Sequence, residues 1–174
     1  MVATFAIEII LALYVLFRYH MTTIMRLIVA ALTSLALFQV SEYFVCGGLG
    51  ADGATWSRIG FAAITMLPPL GLHILQVMTG NPSRKLVAAA YGTMAGFMAY
   101  FLIAPNAFVG HECTGNYVIF QIGNSPATFY GAYYYGWLLT ALIIGFNNLR
   151  SNKFSKKVGA QITALMVGYL VFLV

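Results

Sequence analysis

Glu8, Glu42 and Arg58 are charged side chains that sit inside apolar runs of the chain. A charged group within a bilayer costs about 2.5–3.5 kcal/mol on insertion scales, so such groups turn toward the interior of a helix bundle and seek partners. Two readings follow, and the spacing leaves both open. The set is the polar part of an outward-facing pocket for a small polar or cationic ligand or a proton, or it is an ion-pair clamp between helices. In the first case Glu42→Gln abolishes ligand binding and leaves the fold intact. Trp56, two positions before Arg58, and the series Tyr130, Tyr133, Tyr134, Tyr135 and Trp137 supply candidate walls. Tyr130, Tyr134 and Trp137 recur at helical spacing, which suits a cage for a cation or, more simply, a belt at the membrane surface.

Cys46 and Cys113 are the two cysteines. In an oxidising outer compartment a bridge between them is expected, pinning a long loop over the mouth of the bundle. Metal binding by His111, Cys113 and Cys46 lacks any Cys-x2-Cys spacing, so no metal is expected. Pro68 and Pro69 lie mid-run, where they remove backbone hydrogen bonds, kink the helix and free carbonyls that need partners. His73, one turn on, is expected to bond a neighbouring helix; a bis-histidine haem would need a second intramembrane histidine, and His20 and His111 fall in loops. No nucleophile with a base, metalloprotease helix, phosphate loop or dinucleotide fingerprint is present. Neither catalytic residues nor a cofactor are expected.

The elements that must position these residues are membrane helices. Charged residues make up 7% of the 174 and apolar ones 61%, against about a quarter charged in a soluble domain. The apolar runs are about twice the length of a barrel strand and do not alternate. A single transmembrane domain, 1–174, of about six helices is predicted: 3–17, 24–45, 55–79, 84–104, 128–148 and 158–174, an all-α bundle. Thr55 is a candidate N-cap for the third, and the 105–127 stretch is read as a long loop. Gly92 and Gly96, extended by Ala88, form a small-residue face suited to close helix packing.

The net charge of +5 does not point to nucleic acid, because the basic residues lie in short clusters between apolar runs. Arg18, Arg26, Arg84, Lys85, Arg150, Lys153, Lys156 and Lys157 share one side of the predicted topology, and only Arg58 falls on the other. The positive-inside rule then places both termini outside a cell membrane crossed several times, with Cys46 and Cys113 facing one outer compartment.

The order Gln39-x2-Glu42, Trp56-x-Arg58, Leu67-Pro68-Pro69-Leu70-x2-His73 and Thr79-Gly80 resembles the N-terminal seven-helix sensor region found ahead of some bacterial histidine kinases. Tyr133 to Tyr135 and the basic linker leading to Gln161 are similar to that family's fifth and sixth helices. The resemblance implies an outward-facing bundle that receives a signal and passes it to a cytoplasmic output. A seventh helix and a kinase domain are missing from the pattern, and the run ending at Val174 without a polar flank fits a chain that continues.

The leading expectation is therefore a small, non-catalytic sensor-like membrane protein. Its pocket lies among the outer ends of helices 1, 2, 3 and 5 of the six, and the Pro68-Pro69 kink is the part that moves. The alternative is an accessory or structural subunit of a larger membrane complex, with a membrane or cytoplasmic partner protein. A third is a proton-coupled carrier using Glu8 and Glu42, for which inverted repeats would speak and none is visible.

Overall fold

The structure, a computed structural model, describes residues 2–47, 50, 52–80, 82–114, 118–151 and 154–173. Gly48, Leu49, Ala51, Asn81, Tyr117, Lys153 and Val174 of the predicted turns, loops and ends lie outside the described residues. The helices are α1 (Val2–Arg18), α2 (Thr23–Gly47), α3 (Gly53–Thr65), α4 (Leu67–Met78), α5 (Arg84–Ile103), α6 (Asn124–Arg150) and α7 (Lys156–Leu173). Two strands, β1 (Phe108–Cys113) and β2 (Val118–Ile122), stand between α5 and α6. Thr23–Gly47, Gly53–Met78, Arg84–Ile103 and Pro126–Arg150 are long and apolar enough to cross a membrane.

The predicted third helix is two helices meeting at Met66. Its N-cap is Asp52 rather than Thr55: the Asp52 side chain accepts a hydrogen bond from the Thr55 amide at 3.2 Å. Those bonds from Thr55 hold the Asp52 carboxyl below the usual aspartate range. A short polar side chain before the helix outcompetes one inside it, because the orphan amides of the first turn point back toward the cap.

The chain is helical as the all-α reading has it, and the 105–127 segment read as a loop carries a short antiparallel hairpin. Cys113 pairs with Val118, Glu112 with Ile119 and His111 with Phe120, and the register slips between Phe108 and Gly110. α6 opens four residues earlier than predicted, with Pro126 in its first turn, where a missing N–H costs no internal bond.

α3 packs most closely on α2 through small residues. Ser41, Ser57 and Ala63 are almost fully buried, and a Cβ placed on Gly60 would lie 3.1 Å from that of Ser41. This is how helices associate where lipid removes the hydrophobic drive between them. The Gly92 and Gly96 face of α5 does not play that part: it is exposed, and a Cβ on either glycine would meet nothing within 4 Å. The buried centre is Leu72, Leu75, Ala90, Ala141 and Ile162, contributed by α4, α5, α6 and α7. A second cluster, Leu27, Leu70 and Ile74, joins α2 to α4.

Candidate functional site

The site grows from the break in α3–α4. In an unbroken helix the carbonyl of Thr65 would accept from the amide of residue 69, but that residue is Pro69 and has no N–H. Tyr133 of α6 takes its place, its hydroxyl donating to the Thr65 carbonyl at 2.7 Å. Tyr130, one turn earlier on α6, brings its hydroxyl to 3.1 Å from Thr65 Oγ1. Both partners are in the low-dielectric interior, where an unpaired carbonyl is costly. At the same break Met66 presents its sulfur to Ser34 of α2, whose hydroxyl lies 3.7 Å away.

Above the break sits the hairpin, tied to α2 twice. Cys46 and Cys113 form a disulfide across 67 residues of sequence. Glu42, one helical turn before Cys46 and only 6% exposed, accepts a hydrogen bond from the Val118 amide at 3.3 Å. Since Cys113 and Val118 face each other across the two strands, one covalent and one hydrogen-bonded link hold the same rung. Positions four apart on a helix share a face, so Glu42 and Cys46 meet that rung together.

Between the hairpin, α2, α3 and α6 lies a cavity of about 340 Å³, lined by Phe38, Phe61, Ile64, Phe120, Ala127, Tyr130, Gly131, Tyr134 and Tyr135. Phe61 is its hub. The Phe61 ring centroid lies 5.4 Å from that of Phe120 and 5.5 Å from that of Tyr130, within the range at which aromatic pairs attract. The floor is the last turn of α3, directly before the break. Such a cavity can hold an apolar or aromatic molecule and offers phenol hydroxyls for orientation.

The residues singled out from sequence are divided among several places. Tyr134 lines the cavity. Trp137 faces α5 instead, its indole N–H donating to Thr93 Oγ1 at 3.0 Å. Trp56 packs on Phe44 with ring centroids 4.6 Å apart. Arg58 spreads its guanidinium over the end of α5, with Nη1 donating to the Phe101 and Leu102 carbonyls at 2.9 and 3.2 Å and Nη2 to Pro105 at 3.1 Å. It satisfies carbonyls that a helix C-terminus leaves open. Glu8 is buried on α1, and its Oε2 has no hydrogen-bond partner among the described residues. Glu8, Glu42 and Arg58 thus form neither the predicted clamp nor the lining of the aromatic cavity. Pro68 and Pro69 open α4, and His73 Nδ1 lies 3.2 Å from the Tyr91 hydroxyl of α5.

Phe38, Phe61, Ile64 and Phe120 were missing from the sequence-based site. The alternation of Val118, Phe120 and Ile122 toward the bundle carries a two-residue period that marks a strand. Placing it against Phe61 requires the hairpin register. No family model, curated protein or solved structure matches this chain.

Proposed function

We propose that the chain is a membrane-embedded, receptor-like sensor, non-catalytic, whose ligand occupies the aromatic cavity beneath the hairpin. In this reading α1 and α7 cross the bilayer along with the four long spans, both termini lie outside, and the cavity opens in the outer half of the bundle. The polar pocket expected from Glu42 and Arg58 gives way to an aromatic one, because both side chains are engaged by backbone groups.

One observation carries the proposal: the cavity wall and the helix break share the same tyrosine face. Tyr130 lines the cavity and reaches Thr65, while Tyr133 next to it bonds the Thr65 carbonyl. A molecule entering between Phe61 and Tyr130 alters the pairing that sets the bend between α3 and α4. A bend with two arrangements passes an outer event inward.

The test uses diphenylmethane, an aromatic hydrocarbon of suitable size, and the protein in lipid nanodiscs. Gly131→Trp fills the cavity from a position where a Cβ meets nothing within 4 Å. Saturable binding and a raised Tm are expected for the wild type and neither for the variant. Equal binding to both would remove the cavity from the mechanism.

A second reading, a subunit of a larger assembly, is favoured by a groove of about 420 Å³ along α2, α4 and α7, lined by Ile24, Met25, Ile28, Ile74, Met78, Gln161 and Leu165. Its lining, drawn from three helices, is where a partner transmembrane helix would pack. Stoichiometric copurification of a second membrane chain in mild detergent, lost on Ile28→Trp, supports that reading.

A further inference from the structure

Six of the nine residues lining the cavity beneath the hairpin are aromatic: Phe38, Phe61, Phe120, Tyr130, Tyr134 and Tyr135. They form an unbroken series. Ring centroids lie 6.0 Å apart for Phe38 and Phe120, 5.4 Å for Phe120 and Phe61, 5.5 Å for Phe61 and Tyr130, and 5.9 Å for Tyr130 with Tyr134 and for Tyr134 with Tyr135. Neighbouring ring planes are inclined by between 47° and 85°. Rings inclined in this way curve around a space instead of stacking into a slab.

Apolarity alone does not call for rings. The smaller cavity of about 140 Å³ between α2, α4, α6 and α7 is walled mainly by aliphatic groups, among them Leu35, Leu67, Leu138 and Leu165. The groove on α2, α4 and α7 is lined by isoleucine, methionine, leucine and one glutamine. A ring differs from a leucine in the negative π density on its faces, which attracts a cation. Among the described residues the outer cavity has no Lys, Arg or His in its lining to repel one. Arg58, the basic residue of α3, donates instead to carbonyls at the end of α5.

The lining also narrows the kind of cation. It contains no Asp, Glu, Asn or Gln, and the Tyr130 hydroxyl is engaged with Thr65 Oγ1 at 3.1 Å. A primary ammonium brings three N–H donors, which would lose their water partners here without replacement. A quaternary ammonium donates no hydrogen bond and leaves none unmade. We propose that the ligand of the outer cavity is a quaternary ammonium cation, held by these six rings. This rests on the outer cavity being the ligand site and adds the ligand's chemical class. A trimethylammonium group reaches such a site as a free solute or as the choline headgroup of a lipid.

The test compares benzyltrimethylammonium with neopentylbenzene, which has the same shape with carbon in place of the charged nitrogen, and with benzylammonium. Binding is measured to the protein in phosphatidylglycerol nanodiscs, and binding to Gly131→Trp nanodiscs is subtracted. Saturable benzyltrimethylammonium binding is expected, tighter than that of benzylammonium. The preference for benzyltrimethylammonium over neopentylbenzene is expected to fall roughly two- to fivefold in Phe120→Leu and in Tyr135→Leu, the worth of one cation–π contact. Taking the ratio of the two affinities cancels any loss of packing that both probes share. In phosphatidylcholine nanodiscs a headgroup ligand competes and weakens the binding, whereas unchanged binding assigns the site to a free solute. Saturable neopentylbenzene binding without benzyltrimethylammonium binding, an unchanged preference in both variants, or benzylammonium bound as tightly as benzyltrimethylammonium overturns the proposal and leaves the outer cavity standing. Failure of these probes and of diphenylmethane to bind wild type overturns the outer-cavity reading and this one together.

Discussion

The Tyr133 hydroxyl donates to the Thr65 carbonyl at 2.7 Å, the carbonyl that Pro69 leaves without its helical partner. A side chain on α6 therefore completes the hydrogen bonding of a different helix at the point where that helix bends. Tyr133→Phe keeps the ring and removes only this bond. It is expected to lower stability by about 1–3 kcal/mol, the range for leaving one buried polar group unpaired. Thermal unfolding in nanodiscs measures it. Pro69→Ala restores an amide to Thr65, so the loss caused by Tyr133→Phe is expected to shrink in that background, and a double-mutant cycle reads the difference.

Reducing the Cys46–Cys113 bridge is expected to loosen the roof of the cavity and spare the helices. A loop of 67 residues corresponds to about 4 kcal/mol on the chain-entropy scale. The stabilisation here is expected to fall below that, since membrane helices persist in the denatured state and shorten the effective loop. Weaker diphenylmethane binding with unchanged helical circular dichroism is the expected pair of results. Glu42→Leu, which removes the second link to the same rung, is expected to add to the effect of reduction, whereas Glu42→Gln keeps an acceptor and stays near wild type.

The parts legible in sequence are those set by solvent. Two lone cysteines in an oxidising compartment are expected to bridge, and Cys46 and Cys113 form that disulfide. The Pro68-Pro69 pair announces a break, because a missing amide is visible in any sequence. Partner choice is different. Glu42, Arg58 and Glu8 look like a set when only depth in the membrane is known, but a pair also needs helices rotated toward each other. Arg58 faces the end of α5, where open carbonyls compete for it, and Glu42 faces the hairpin. That hairpin hides in composition, since two short strands carry too few residues to display a period over the surrounding apolar runs.

Arg58 ties α3 to the end of α5 through three carbonyls. Arg58→Ala is expected to destabilise by about 2 kcal/mol, because hydrogen bonds from a charged donor are worth about 1.5–3. Arg58→Lys is expected to recover only part of this, as an ammonium cannot fork across the helix end. Faster amide exchange at Ala104 and Ala107 locates the damage.

Asp52 gives the N-terminal end of α3 a pH dependence. Its carboxyl titrates below the ordinary value of 3.8 because the ionised form is bonded by Thr55. A group depressed in the folded state stabilises fully above its unfolded pKa, and the contribution disappears as pH falls through the folded one. Fraying of the first turn of α3 is expected below about pH 4, read from Trp56 fluorescence. Asp52→Asn, still a good cap, is expected to remove that acid response at little cost at pH 7.

The central claim is that filling the aromatic cavity changes the bend at Met66. Spin labels on Ala54→Cys and Val77→Cys report it most directly, standing roughly 35 Å apart along the axis at 1.5 Å per residue, with the native cysteines protected as a disulfide. Saturating diphenylmethane is expected to shift the distance distribution in the otherwise wild-type protein and to leave it unchanged when Gly131→Trp fills the cavity. A distribution that stays fixed while the hydrocarbon is shown to be bound would contradict the claim.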